Sequence, residues 1–189
     1  MKANRPTLKV YLFFYWVLSC TILNGQDTIN LQNPSFEDSP RRGTPGMLPI
    51  KGWNDCSYTQ FPQETPPDIH PVQDIDPAKE NAWGVSMLPQ DGETYLGLVV
   101  RANATWESVS QQLIIPLRAD VCYSLTAMLA MSDIYKSATA MTQKLGTYEL
   151  ENFTNPVMLV IWGGRKECDK YEILAESGEV TNQQWAPYH

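Results

Sequence analysis

Residues 90–117 hold the feature that most limits how this chain can fold. Asp91 and Gly92 mark a turn, because glycine accepts positive φ and aspartate bonds its own backbone. Residues 94–100 are apolar, aromatic or β-branched on both alternating faces, with Tyr95, Gly97 and Val99 on one and Leu96, Leu98 and Val100 on the other. That pattern predicts a strand covered on both sides. A polar corner at 101–104 leads into a second predicted strand, stopped by Pro116, which cannot donate to a ladder. Two strands joined by a short loop, with no helical period between them, predict the middle of an all-β domain.

The flanking sequence extends this pattern. Residues 120–132 put Tyr123, Leu125, Ala127, Leu129 and Met131 on one face and read as a further strand. Residues 156–162 read as the most clearly buried strand, closed by Gly163 and Gly164, with Trp162 in the core as Trp53 is. Residues 27–32 predict a short first strand entering a turn at Asn33 and Pro34, where Phe36 anchors the core. Residues 38–89 are proline-rich with little periodicity and predict a long loop, on which His70 is a surface residue. Fourteen prolines and six tryptophans in 189 residues favour this turn-rich β reading over a helical one. The expected architecture is an antiparallel β-sandwich, which would need one or two more strands beyond His189 to close its sheets.

Lys2, Arg5 and Lys9 precede an apolar run at 10–18 that is too short to span a bilayer comfortably. Residues 1–25 therefore read as a secretory signal peptide, cleaved after Gly25, with residues 26–189 as the mature domain. An uncleaved anchor and a lipobox that acylates Cys20 are the competing readings. Without the three basic residues of the leader, 11 Lys and Arg face 21 Asp and Glu, a formal charge near −10. Such a surface repels phosphate backbones, which argues against nucleic acid as a partner, and it is compatible with neutral glycans or cations. Export implies an oxidising compartment, where cysteines pair by default. Cys122 falls in a predicted strand and Cys168 just beyond another, so the expected disulfide is Cys122–Cys168, with Cys56 left free or paired elsewhere. No close Cys/His cluster suggests zinc.

Taken in order, Asn33-Pro34-Ser35-Phe36-Glu37, Gly52-Trp53, Asp91-Gly92 with Tyr95-Leu96-Gly97, and Gln111-Gln112-Leu113 with Pro116 resemble the galactose-binding-like jelly-roll modules. Among these the chain is most similar to carbohydrate-binding modules at the amino end of bacterial surface proteins. Ile161-Trp162-Gly163-Gly164, Cys168-Asp169 and Leu174-Ala175-Glu176-Ser177 resemble a subgroup in Gram-negative secreted proteins, which often carry an outer-membrane protein A-like, peptidoglycan-binding domain further on. The resemblance covers roughly residues 28–189. It implies a jelly-roll sandwich, a secreted or outer-membrane, cell-surface location and an envelope-anchoring domain beyond this chain. It also implies a structural calcium ion, with Glu37 as a ligand and Asp91 mapping loosely beside it; such an ion takes six to eight oxygens.

No nucleophile elbow, phosphate loop or dinucleotide fingerprint occurs, and one of the two histidines is the terminal His189. The expected function is thus noncatalytic. Sugar binding needs an aromatic platform for the apolar face of the ring and amides or carboxylates for its hydroxyls. Trp83, Tyr58 and Trp106, in or beside loops, are the candidate platform residues. Trp83 reads equally as a loop plug, and Trp106 as core. The expected partner is a polysaccharide or cell-wall glycan; the alternative is a structural or adhesive spacer that binds no sugar.

Overall fold

The computed structural model describes residues 28–44, 50–72, 82–138 and 150–189. The expected leader at 1–25, with Cys20, lies outside them; among the described residues no helix is long and apolar enough to cross a membrane. Every element below belongs to the compact unit Leu31–His189.

Regular structure here is almost all strand. The strands are β1 (Asn54–Asp55), β2 (Asp68–His70), β3 (Tyr95–Gly97), β4 (Val109–Ser110), β5 (Ala127–Leu129), β6 (Lys136–Ala138), β7 (Leu150–Asn152), β8 (Val160–Gly163), β9 (Glu172–Glu176) and β10 (Ala186–Tyr188). Among the described residues the helical pieces are one α-turn, α1 (Ser57–Gln60), and a 3-10 turn, Ala82–Gly84. Strands pair antiparallel in twos: β1 with β4, β2 with β3, β5 with β10, β6 with β7 and β8 with β9. The protein is all-β, as its alternation predicts, but built from small ribbons.

The ribbons are shorter than the periodicity predicts, and local chemistry explains where they stop. In the 94–100 stretch Tyr95 and Val99 are buried, whereas Leu98 and Val100 are 41% and 48% exposed, so one face is covered rather than two. The Val99 N–H is taken by the Glu107 carboxylate at 3.1 Å instead of by a neighbouring strand, which ends the ladder after Gly97. The strand expected before Pro116 contracts to β4, leaving Ile114 and Ile115 exposed outside it. Residues 28–32 form no strand, because a side chain replaces the partner strand: Gln111 accepts from the Gln32 N–H at 2.9 Å and donates to its carbonyl at 2.8 Å. Within β5 the expected alternation holds, with Ala127 and Leu129 half-buried and Met128 exposed. Trp162 lies in β8 but is 40% exposed rather than core.

The proline-rich stretch expected to be a loop contains β1, α1 and β2. His70, expected on the surface, is 1% exposed. An apolar core of Val85, Val99 and Tyr135, with Trp83, Met87 and Phe153 against it, sits beside this segment. Each such side chain contributes about 1.5–3 kcal/mol when fully buried.

The disulfide joins Cys56 to Cys168, with Cα atoms 5.4 Å apart, not Cys122 to Cys168. Cys122 is free and exposed, because residues 121–126 lie outside any strand on the surface. The Cys56 N–H donates to Ser108 O at 3.1 Å, and the Cys168 N–H to Ser110 Oγ at 3.1 Å. Both cysteines are thus anchored on one segment around β4, which is what brings them together.

Candidate functional site

A groove of about 350 Å³ opens where the 50–54 corner meets the end of β4. Its walls are Gln32, Lys51, Gly52, Trp53, Asn54, Gln111 and Gln112, over Ile50, which is buried. The motif around Asn33 builds this corner. Asn33 Nδ2 donates to Lys51 O at 2.7 Å and its Oδ1 accepts the Glu37 N–H at 2.8 Å. The Trp53 indole N–H donates to Asn33 O at 3.0 Å, and its ring stacks on Phe36 with centroids 4.8 Å apart. Gln111 Nε2 donates to Gln32 O at 2.8 Å and to Gly52 O at 2.7 Å, so its amide is spent on the scaffold. The Asn54 and Gln112 side chains have no such partner among the described residues and stand available at the rim. The groove offers neutral amides, one ammonium at Lys51 and the half-buried Trp53. It can hold a polar, uncharged ligand by hydrogen bonds and ring contact.

The aromatic residues expected to bind sugar are placed differently. Tyr58 is 79% exposed on α1. Trp83 is half-buried, stacked on Tyr135 at 6.3 Å, with the Arg42 guanidinium 4.8 Å from its ring centre. That engagement fits the loop-plug alternative. The Trp106 ring carries the Lys170 ammonium at 5.1 Å. Sequence reasoning gave Gln111, Gln112 and Asn54 no binding role. The signal for the two glutamines was a pair of adjacent amides inside the predicted strand before Pro116.

Glu37 and Asp91, expected near a calcium ion, do flank one turn. The Glu37 carboxylate accepts the Glu93 N–H at 3.1 Å and the Thr94 hydroxyl at 3.4 Å, and a Cβ on Gly92 would overlap it. Asp91 accepts the Ser35 hydroxyl at 3.0 Å. The Glu37 carboxylate is held by the N–H and O–H donors of this turn. Among the described residues no group of three or more His, Cys, Asp or Glu side chains is placed to hold a metal.

A buried polar network lies apart from the groove's lining. Asp68 accepts the Tyr135 hydroxyl at 2.5 Å and the Gly43 N–H at 2.7 Å. Glu107 accepts from Thr65 Oγ1 at 3.0 Å and pairs with Arg101 at 3.2 Å. Burial raises the Asp68 and Glu107 carboxyls above their usual range, and the Asp68 charge raises Glu107 further. His70 stacks on Tyr95 at 5.3 Å and meets Tyr135 edge-on at 6.5 Å, with neither ring nitrogen hydrogen-bonded. Gly97 admits the ring: a Cβ there would stand 2.6 Å from His70 Cδ2.

Burial lowers the His70 imidazole to about 4. The unfolded chain takes up this proton near pH 6.5 and the native state only near 4, so stability falls as pH drops through that window, by about 3 kcal/mol in all. The raised carboxyls of Asp68 and Glu107 act in the opposite sense, since the folded state protonates them first. Comparing wild type with His70→Phe cancels their contribution. Urea unfolding from pH 7 to 4.5 should show wild type losing about 2–3 kcal/mol relative to the variant. A difference that stays constant across that range would refute the assignment.

No known protein family, curated protein or solved structure matches this chain.

Proposed function

We propose that this chain is a noncatalytic carbohydrate-binding domain of a secreted or bacterial cell-surface protein, folded as a galactose-binding-like β-sandwich. The observation that carries this reading is the groove at Gln32, Trp53, Asn54 and Gln112, where rim amides stand unspent around a half-buried indole. Sugar hydroxyls take amide donors and acceptors, and the apolar face of a pyranose takes an aromatic edge or face. The acidic surface suits neutral glycans better than polyanions.

Affinity electrophoresis of the purified chain through a panel of neutral polysaccharides tests it. At least one should retard migration. Asn54→Ala and Gln112→Ala should each weaken that retention about fivefold, the worth of one hydrogen bond. Free migration in every gel, or retention indifferent to both substitutions, would remove the groove as a sugar site.

A second reading, a structural or adhesive spacer of a larger envelope protein, is favoured by exposed apolar side chains on the β8–β9 ribbon, Trp162, Ile173 and Leu174 among them. It predicts no retention in any gel.

A further inference from the structure

β9 is the longest strand among the described residues, and all five of its residues are exposed. One edge pairs with β8; the other has no partner strand among the described residues. The N–H groups of Tyr171 and Ser177 donate toward β8, to Gly163 O at 3.0 Å and Leu159 O at 2.9 Å. Alternation then turns the backbone groups of Glu176 outward, while the register shift between Ile161 and Trp162 interrupts the alternation before Glu172 is reached. Between these two acids lie Ile173 and Leu174, with Trp162 paired to Ile173 across the ribbon, all exposed apolar surface. β proteins normally blunt such an edge with lysine, proline, a bulge or a covering loop. Here β9 carries neither lysine nor proline, and the register shift opposite Ile161 and Trp162 is its one irregularity.

A second copy fits this edge poorly. Antiparallel pairing of β9 with itself sets Glu172 opposite Glu176, and like charges directly across a ladder repel. Opposite charge fits both ends. We infer that β9 accepts, as an added antiparallel strand, an extended segment of another protein that carries Lys or Arg on each side of a short apolar centre. The basic flanks pair with Glu172 and Glu176, the centre covers Ile173 and Leu174, and outward backbone groups complete the ladder. The formal charge of −7 steers such a basic segment toward the domain. Of the cations at the near turn, Arg165 lies over Tyr171 at 4.5 Å and Lys170 pairs with Glu64, and Lys166 is exposed. This docking is independent of sugar binding in the groove.

Two labelled peptides test it, sharing a Val-Thr-Val centre and flanked by two lysines or two glutamates on each side. Titrated into the full chain and followed by anisotropy, the lysine-flanked peptide should bind about tenfold more tightly. A Glu172→Lys, Glu176→Lys double variant, at two exposed positions, should keep the wild-type melting temperature and invert the preference. Equal affinities, binding of neither peptide, or a preference that survives the charge reversal overturns the inference. A concentration-dependent dimer that the double variant alters also overturns it, because a second copy would then be the occupant.

Discussion

Cys168→Ser, or Cys56→Ser, is expected to lower the unfolding free energy by about 4–5 kcal/mol in urea titrations. The two cysteines are 112 residues apart in sequence, so the cross-link removes a large share of the unfolded chain's freedom. Their surroundings add little that could replace it. Gln60 Nε2 donates to Cys168 O at 3.2 Å, and Ser110 Oγ meets the Cys168 N–H, both part-buried bonds of about 1 kcal/mol each. Without the bond, α1 and the turn between β8 and β9 lose the covalent tie between them. The two single variants and the double variant should be equally unstable, because either change breaks the same bond. Cys122→Ser should stay within about 0.5 kcal/mol of wild type, as an exposed position away from any such feature. Should Cys122→Ser show the loss and Cys56→Ser not, the pairing described here would be wrong.

The class of the fold was legible in the sequence and its joints were not, for a physical reason. Alternation reports which side of a strand meets apolar surface, and it identified Tyr95 and Val99 as well as the Ala127 and Leu129 face. It reports nothing about where the partner strand ends. At Val99 a carboxylate eight residues away, Glu107, takes the backbone N–H, and at Gln32 an amide 79 residues away does the same. Such side-chain substitutes for strand pairing leave no periodic trace. The Asp68-Ile69-His70 segment was hidden in the same way: its buried acid and imidazole look like loop residues until Tyr135, 67 positions on, is seen to accept them into the core. The cysteine pairing failed because it leaned on a strand around Cys122 that does not form. The corner at Asn33 was legible as a turn, but its consequence, a groove walled by Gln111 and Gln112, depended on contacts across the fold.

Lys170→Met is expected to cost about 3–5 kcal/mol, close to the loss of the disulfide, although it removes one side chain only. Glu64 is 0% exposed and pairs with the Lys170 ammonium and the Ser108 hydroxyl. Taking away the ammonium leaves a carboxylate cut off from water with a single neutral donor, and the penalty is the desolvation of that charge rather than the worth of the pair. Loss of the cation over Trp106 adds a smaller amount, about 0.5–1 kcal/mol. The distinction between these contributions is measurable. Glu64→Leu placed on Lys170→Met removes the stranded charge and should restore most of the lost stability, since a buried ion pair and apolar residues of similar volume are often nearly equivalent. Glu64→Leu alone should cost less than Lys170→Met alone, because Lys170 is partly exposed and its ammonium can turn to water. A double variant as unstable as the sum of the two singles would mean that the pair contributes through packing and not through charge, and would remove the electrostatic account of this side of the core.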